Sequence, residues 1–168
     1  MSIDAVSEML WRERRLLELL LFKLEEEQMV LAAGRNRWLA HATRELETVF
    51  EEINIAELER AVSVNAAARR LGVEPGASLK ELAAVAPEPW GRLLNRHRDA
   101  LVTLAAEIDV VAEANHELLD ESERVPDPAS DTALVPDNVL QLQLQRVAHD
   151  AASGVTRAVQ PSLREFLR

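Results

Sequence analysis

Trp90, Leu94, His97, Leu101, Leu104, Ile108, Val111, Asn115, Leu118 and Ser122 follow one another in unbroken alternation of four and three residues. A stripe with that period stays on one side of an α-helix only when the helix winds against a partner. The spacing therefore commits the chain to long, laterally packed helices. Pro89 can sit in the first turn of this segment, which predicts a helix over about 89–123.

Two more segments read the same way. Residues 5–33 contain no Gly or Pro and stop at Gly34, a usual helix terminator. Leu10, Leu17, Leu24 and Leu31 recur every seven residues there, widened by Leu16, Leu20, Leu21 and Met29. Glu25, Glu26 and Glu27 read as a solvated turn of that helix. The next segment, about 36–71, steps through Leu39, Ala42, Leu46, Val49, Ile53 and Ala56, slips once, and ends at Gly72. Ser78 followed by Glu81 is a capping-box pattern and opens a short helix over about 79–85. At ~1.5 Å per residue the two longest segments each span roughly 50 Å, the matched length that antiparallel neighbours need. The expected fold is all-α: an elongated antiparallel three-helix coiled-coil bundle over residues 1–124, with a short connector helix and an additional C-terminal helix.

Residues 125–137 carry Pro126, Pro128 and Pro136 and read as a linker. Beyond it, Leu140, Leu144, Val147, Ala151, Val155 and Ala158 suit an amphipathic helix capped by Asp137. The run from Leu140 to Gln145 also alternates with period two, which a strand would do. Pro161 stops that segment, and Ser162 to Arg168 forms a short tail whose apolar residues are Leu163, Phe166 and Leu167. This C-terminal part either folds back on the bundle or binds a partner.

Composition excludes whole classes of function. The chain has 168 residues, no Cys and a net charge of −10, so it offers no disulfide framework, thiolate nucleophile or thiolate metal site. A net negative charge disfavours nucleic-acid binding, which rests on Lys and Arg displacing counterions. The longest apolar run, Leu16 to Leu24, is broken by Glu18 and Lys23 and is too short for a membrane span. Met1-Ser2-Ile3-Asp4 lacks a basic region ahead of an apolar one, so no signal peptide is expected and the expected location is cytoplasmic. Residues 1–86 carry net −4 and residues 87–124 net −5, which leaves net −1 on the C-terminal part. The acidic charge sits on the body and spares the apolar tail.

Catalytic chemistry finds no support. His41, His97, His116 and His149 are not paired at helix-turn spacing, and His97 reads as a half-buried packing residue. Glu113 and His116 form one Glu-x-x-His, but a di-metal carboxylate bundle needs a second copy and further Glu residues. No Gly-rich phosphate loop or nucleophile elbow is present. No enzyme activity, metal or cofactor is expected. Asn115 interrupts the apolar seam, where a polar residue either fixes register or meets a partner's polar group.

The run Leu16-Leu17-Glu18-Leu19-Leu20-Leu21-Phe22-Lys23-Leu24-Glu25-Glu26-Glu27-Gln28 on to Gly34-Arg35, the helix Trp38 to Glu59, and Asn115-His116-Glu117-Leu118-Leu119 together resemble the FlgN-type flagellar export chaperones. The resemblance covers about residues 5–124. The family tends to carry a second Asn where this chain has Ala112. The resemblance implies a cytoplasmic, non-enzymatic protein that binds hook-associated (hook–filament junction) proteins before type III export, with the export apparatus as a further partner. By region, it implies client contacts at Leu140, Leu144, Val147, Ala151, Val155, Leu163 and Phe166. A self-associating coiled-coil scaffold or adaptor with no export role is the rival reading, and weak homo-oligomerisation is compatible with either.

Overall fold

The computed structural model describes residues 3–124 and 161–168, and every regular element among them is helical. α1 spans Ile3–Ala32, α2 Leu39–Leu71, α3 Leu79–Val85, α4 Trp90–Arg124 and α5 Pro161–Leu167. The all-α expectation holds. α2 begins at Leu39, three residues later than the spacing predicts. Asn36–Trp38 form a 3-10 turn before α2 begins. Ahead of it Gly34, at φ 62°, stops α1, and the Arg35 amide donates to the Val30 carbonyl at 3.0 Å.

The helix stops follow from backbone chemistry. Gly72 closes α2 at φ 72°, and the amide of Val73 donates to the carbonyl of Ala68 at 2.9 Å. That left-handed cap satisfies carbonyls that would otherwise lack partners. α3 opens with the expected capping box: Glu81 N–H donates to Ser78 Oγ at 3.3 Å, and Ser78 N–H donates to Glu81 Oε2 at 2.8 Å. Gly76 N–H donates to Asn65 Oδ1 at 2.8 Å, tying the connector back to α2. The Glu88–Pro89 peptide is cis, and α4 starts one residue later.

α1 is the central helix. α2 runs antiparallel to it, as Glu13 meets Arg60 and Glu27 meets Thr43. α4 runs parallel to it, as Ser7 faces His97 and Leu24 faces Asn115. α2 and α4 both pack along α1 but make little backbone contact with each other. Leu10, Leu17, Leu20 and Leu24 of α1, Leu46 and Ile53 of α2, and Leu94, Leu101 and Ile108 of α4 fill the main core. A second, smaller cluster of Leu39, Leu119, Val30 and Leu31 lies towards the far end.

α3 lies hard against the start of α4. A Cβ on Gly91 would sit 2.8 Å from the Ala83 carbonyl oxygen, so only glycine permits that approach. α5 lies further along α4, at Arg98 and Asp109, and also touches α3. Its Leu163 and Leu167 join the main core.

Candidate partner-binding site

α5 runs antiparallel to α4. Arg164 pairs with Asp109, and Arg98 Nε donates to the Leu167 carbonyl at 2.8 Å. Leu163 is 1% exposed and Leu167 5%, while Phe166 is half-buried. The spacing Leu163, Phe166, Leu167 places all three on one face of a helix turn, which is why so short a segment can seat itself. Phe166 reaches across to α2, where the Arg60 guanidinium stacks on its ring at 4.4 Å. α5 thus bridges α4 and α2 where those helices are not in extended contact.

Beneath Phe166 lies a buried ion pair. Arg60 of α2 donates to Glu13 Oε1 of α1 at 2.5 Å, with the residues 4% and 1% exposed. Burial pushes the Glu13 carboxyl up from the usual carboxylate range. The Arg60 charge and hydrogen bond oppose that shift, and nearby Glu57 adds to it. Glu13 Oε2 and Glu57 Oε1 are both buried without a hydrogen-bond partner among the described residues. Paired charges of this kind resist loss of either partner far more than they add net stability.

One helical span further along, each long helix contributes one polar side chain to a single layer. Asn115 Nδ2 of α4 donates to the Leu24 carbonyl at 2.9 Å and to Glu27 Oε2 at 3.2 Å. Thr43 of α2 donates to Glu27 Oε1 at 3.4 Å. Glu27 is fully buried, which corrects its reading as part of a solvated acidic turn. It falls three residues after Leu24, so it shares the inward face that Glu25 and Glu26 leave. Burial pushes its carboxyl up to about 7 against the pull of the Asn115 and Thr43 hydrogen bonds. The layer stands between the main core and the small distal cluster.

His97 is buried at 2% exposure, deeper than the half-buried placement expected. Its Nε2 lies 3.3 Å from Ser7 Oγ, and its ring meets Trp11 edge-on at 5.0 Å. Burial, aided by Arg14, holds its imidazole below the ordinary range. Glu113 is exposed and His116 half-buried, and no metal-holding group of three or more acidic, His or Cys residues occurs among the described residues.

The outer face of α4 carries a surface that the heptad reading does not reveal. Val102, Ala106 and Val110 recur every four residues opposite the seam. Val102 is 45% exposed and Val110 70%. On one side this stripe meets Arg98, Ala105 and Leu167 beside α5. On the other it meets Leu21, Glu25, Glu107 and Val111. Two hollows sharing Val102 and Ala106 thus make one apolar path along α4, with Arg98, Arg164, Arg168 and Asp109 at the end beside α5 and Glu25 and Glu107 at the other. Apolar residues at i, i+4 and i+8 were the available signal, outweighed by the stronger ladder on the opposite face.

The expected contacts divide. Leu163 and Phe166 are seated against the bundle, and Asn115 is turned inward. Leu140, Leu144, Val147, Ala151 and Val155 lie outside the described residues. No helix of the described residues is long and apolar enough to cross a membrane.

A family model described as FlgN protein matches residues 1–125. No curated protein and no solved structure matches the chain. The matched stretch takes in α1 to α4 and the central packing just described, and the chain therefore belongs to the FlgN family, whose members serve as flagellar export chaperones.

Proposed function

We propose that the protein is a cytoplasmic chaperone that binds the amphipathic helical region of a flagellar hook-associated protein, prevents its premature assembly and delivers it for type III export. Membership of the FlgN family over residues 1–125 carries this reading. The geometry supports it in two ways. α5 shows how this bundle accepts a short helix, with three apolar side chains at i, i+3 and i+4 seated against α4. Beside α5, the Val102–Ala106–Val110 path is long enough to take a further helix turn or two. Glu25 and Glu107 flank its far end, while Arg98, Arg164 and Arg168 line the end beside α5, so a client helix with a basic end towards Glu25 and Glu107 fits it best.

Leu140, Leu144, Val147, Ala151 and Val155, with Leu163 and Phe166, take part in holding the client. The modest area available suits a chaperone, because cargo must leave again at the export gate. No enzymatic step belongs to this role.

Co-purification with a hook-associated protein and titration calorimetry test the proposal. Binding at micromolar concentration is expected, and no heat of binding to any hook-associated protein would sink it. Leu140→Asp with Leu144→Asp is expected to abolish binding while circular dichroism stays helical. Val110→Asp, at an exposed position, is expected to weaken binding about tenfold by placing a charge on the apolar path.

A further inference from the structure

α2 carries an apolar stripe with no partner among the described residues. Ile55, Leu58 and Val62 are 52%, 70% and 65% exposed, so this face lies open to solvent. At about 100° per residue the three fall within roughly 60° of one another. They point away from Val49, Ile53, Ala56, Arg60 and Ala67, which face the bundle. α1, α3 and the 3-10 turn pack on α2, and Phe166 of α5 meets it at the inward-facing Arg60, on the side away from this stripe.

The charges flanking this stripe are arranged with a symmetry of their own. Glu51 lies seven residues before Leu58, and Arg69 lies seven residues after Val62. Both are exposed and both sit within about 40° of the stripe on the helix surface. Antiparallel pairing with an identical helix, about a twofold axis at the level of residue 60, sets Leu58 against Val62 of the other copy. The same axis sets Glu51 against Arg69 of the other copy, twice over. Ile55 then falls opposite Asn65, whose Oδ1 is already engaged by the Gly76 amide. A surface that is acidic at one end and basic at the other complements itself only in this orientation, as an isologous interface requires.

We infer that the outer face of α2 is a self-association surface, and that two copies of this chain pair through it antiparallel. The contact from Glu51 to Arg69 is about 27 Å long at 1.5 Å per residue and one helix wide. That is well below the roughly 1,200 Å² of a stable interface. The dimer is therefore a weak and reversible one, with Kd on the order of 10–100 μM. The α4 path and α5 lie on other faces, so this pairing is independent of client binding.

Sedimentation equilibrium of the full chain between about 5 and 500 μM tests the inference. A concentration-dependent dimer is expected, weakened severalfold by raising salt from 0.05 to 0.5 M, because the end contacts are exposed ion pairs. Leu58→Glu is expected to leave a monomer throughout, with unchanged circular dichroism and melting temperature at so exposed a position. Glu51→Arg alone is expected to weaken the dimer at least fivefold. Glu51→Arg with Arg69→Glu restores it to within about twofold, since the reversed charges again face each other. Val110→Asp on α4 should change nothing. A wild-type monomer at 500 μM, a dimer indifferent to Leu58→Glu, or a charge reversal that the second reversal fails to rescue would each overturn the assignment.

Discussion

Asn115 Nδ2 lies 3.2 Å from Glu27 Oε2, and neither residue exposes any surface to solvent. The second hydrogen of that amide goes to the Leu24 carbonyl at 2.9 Å, which orients the side chain. The layer that Glu27, Asn115 and Thr43 form holds a carboxyl with no cation among its hydrogen-bond partners in the described residues. Its energetics therefore depend on pH and on both neighbours.

Burial raises the folded-state value of Glu27 from 4.5 to about 7. The folded state thus holds the proton more tightly than the unfolded chain. The stability linked to that proton is complete below pH 4.5, declines as pH rises towards 7, and is absent above it. Glu27→Gln keeps a hydrogen-bonding carboxamide without the charge. It is expected to stabilise the protein by up to about 3 kcal/mol at pH 8.5 and to change little at pH 4.5. Urea denaturation of both proteins across that range checks this. His97, whose own value is depressed, makes an opposite contribution at low pH in both proteins and cancels in the difference.

Asn115→Leu removes both amide donors and leaves Glu27 facing an apolar group. A loss of about 2–3 kcal/mol at pH 8 is expected, falling towards acid pH as Glu27 takes up a proton. The double variant Asn115→Leu with Glu27→Leu replaces the polar pair by an apolar one. It should recover most of that loss without exceeding the wild type in uniqueness of fold, because a buried polar residue at a seam position restricts register. A double-mutant cycle read by chemical denaturation measures the coupling.

The Glu13–Arg60 pair should behave asymmetrically. Arg60→Met strands a carboxylate that is 1% exposed and also removes the guanidinium from the Phe166 ring. A loss of about 3–5 kcal/mol is expected. Arg60→Met with Glu13→Gln should regain more than half of it, which thermal melts of the three variants would show.

α5 holds on through few residues, so its removal has a ceiling. Leu163→Ala, Leu167→Ala and deletion of residues 161–168 are each expected to cost no more than about 1–3 kcal/mol. They should not add, because once α5 has let go a further cut in it costs nothing. Hydrogen exchange should locate the loss of protection on α4 around residues 98–109 and on α3.

Gly91→Ala drives a methyl group to 2.8 Å from the Ala83 carbonyl oxygen. Backbone cannot yield as a side-chain tip can. A cost of about 1–3 kcal/mol is expected despite the better helix propensity of Ala, with α3 displaced from α4. Denaturant midpoints for the wild type and variant decide the sign.

Much of this architecture is local in origin, and local signals are readable along a chain. The four-three ladder from Trp90 to Ser122 stated where α4 would run, because period 3.5 is a property of one helix's own surface. Gly72 at φ 72° and the Ser78–Glu81 box mark ends set within a few residues. Asn115 stood out as a polar position in that ladder before any neighbour was known.

Glu27, Glu13 and Arg60 did not stand out, and the reason is common to all three. Charged residues on a long helix are usually solvated, and only the approach of a second helix takes water away from a particular few. Likewise, the opposite face of α4 showed Val102, Ala106 and Val110 merely as scattered apolar residues until α5 and α1 supplied walls on either side. Sequence by itself determined an all-α chain, its helix periods, several of its stops, and one polar position in its longest seam. These depend on residues a turn or two apart. Tertiary structure decided which carboxylates lose their water, which glycine admits another helix, and where the C-terminal turn seats itself. Those outcomes depend on residues tens of positions apart, and burial and desolvation are properties of the assembled helices alone.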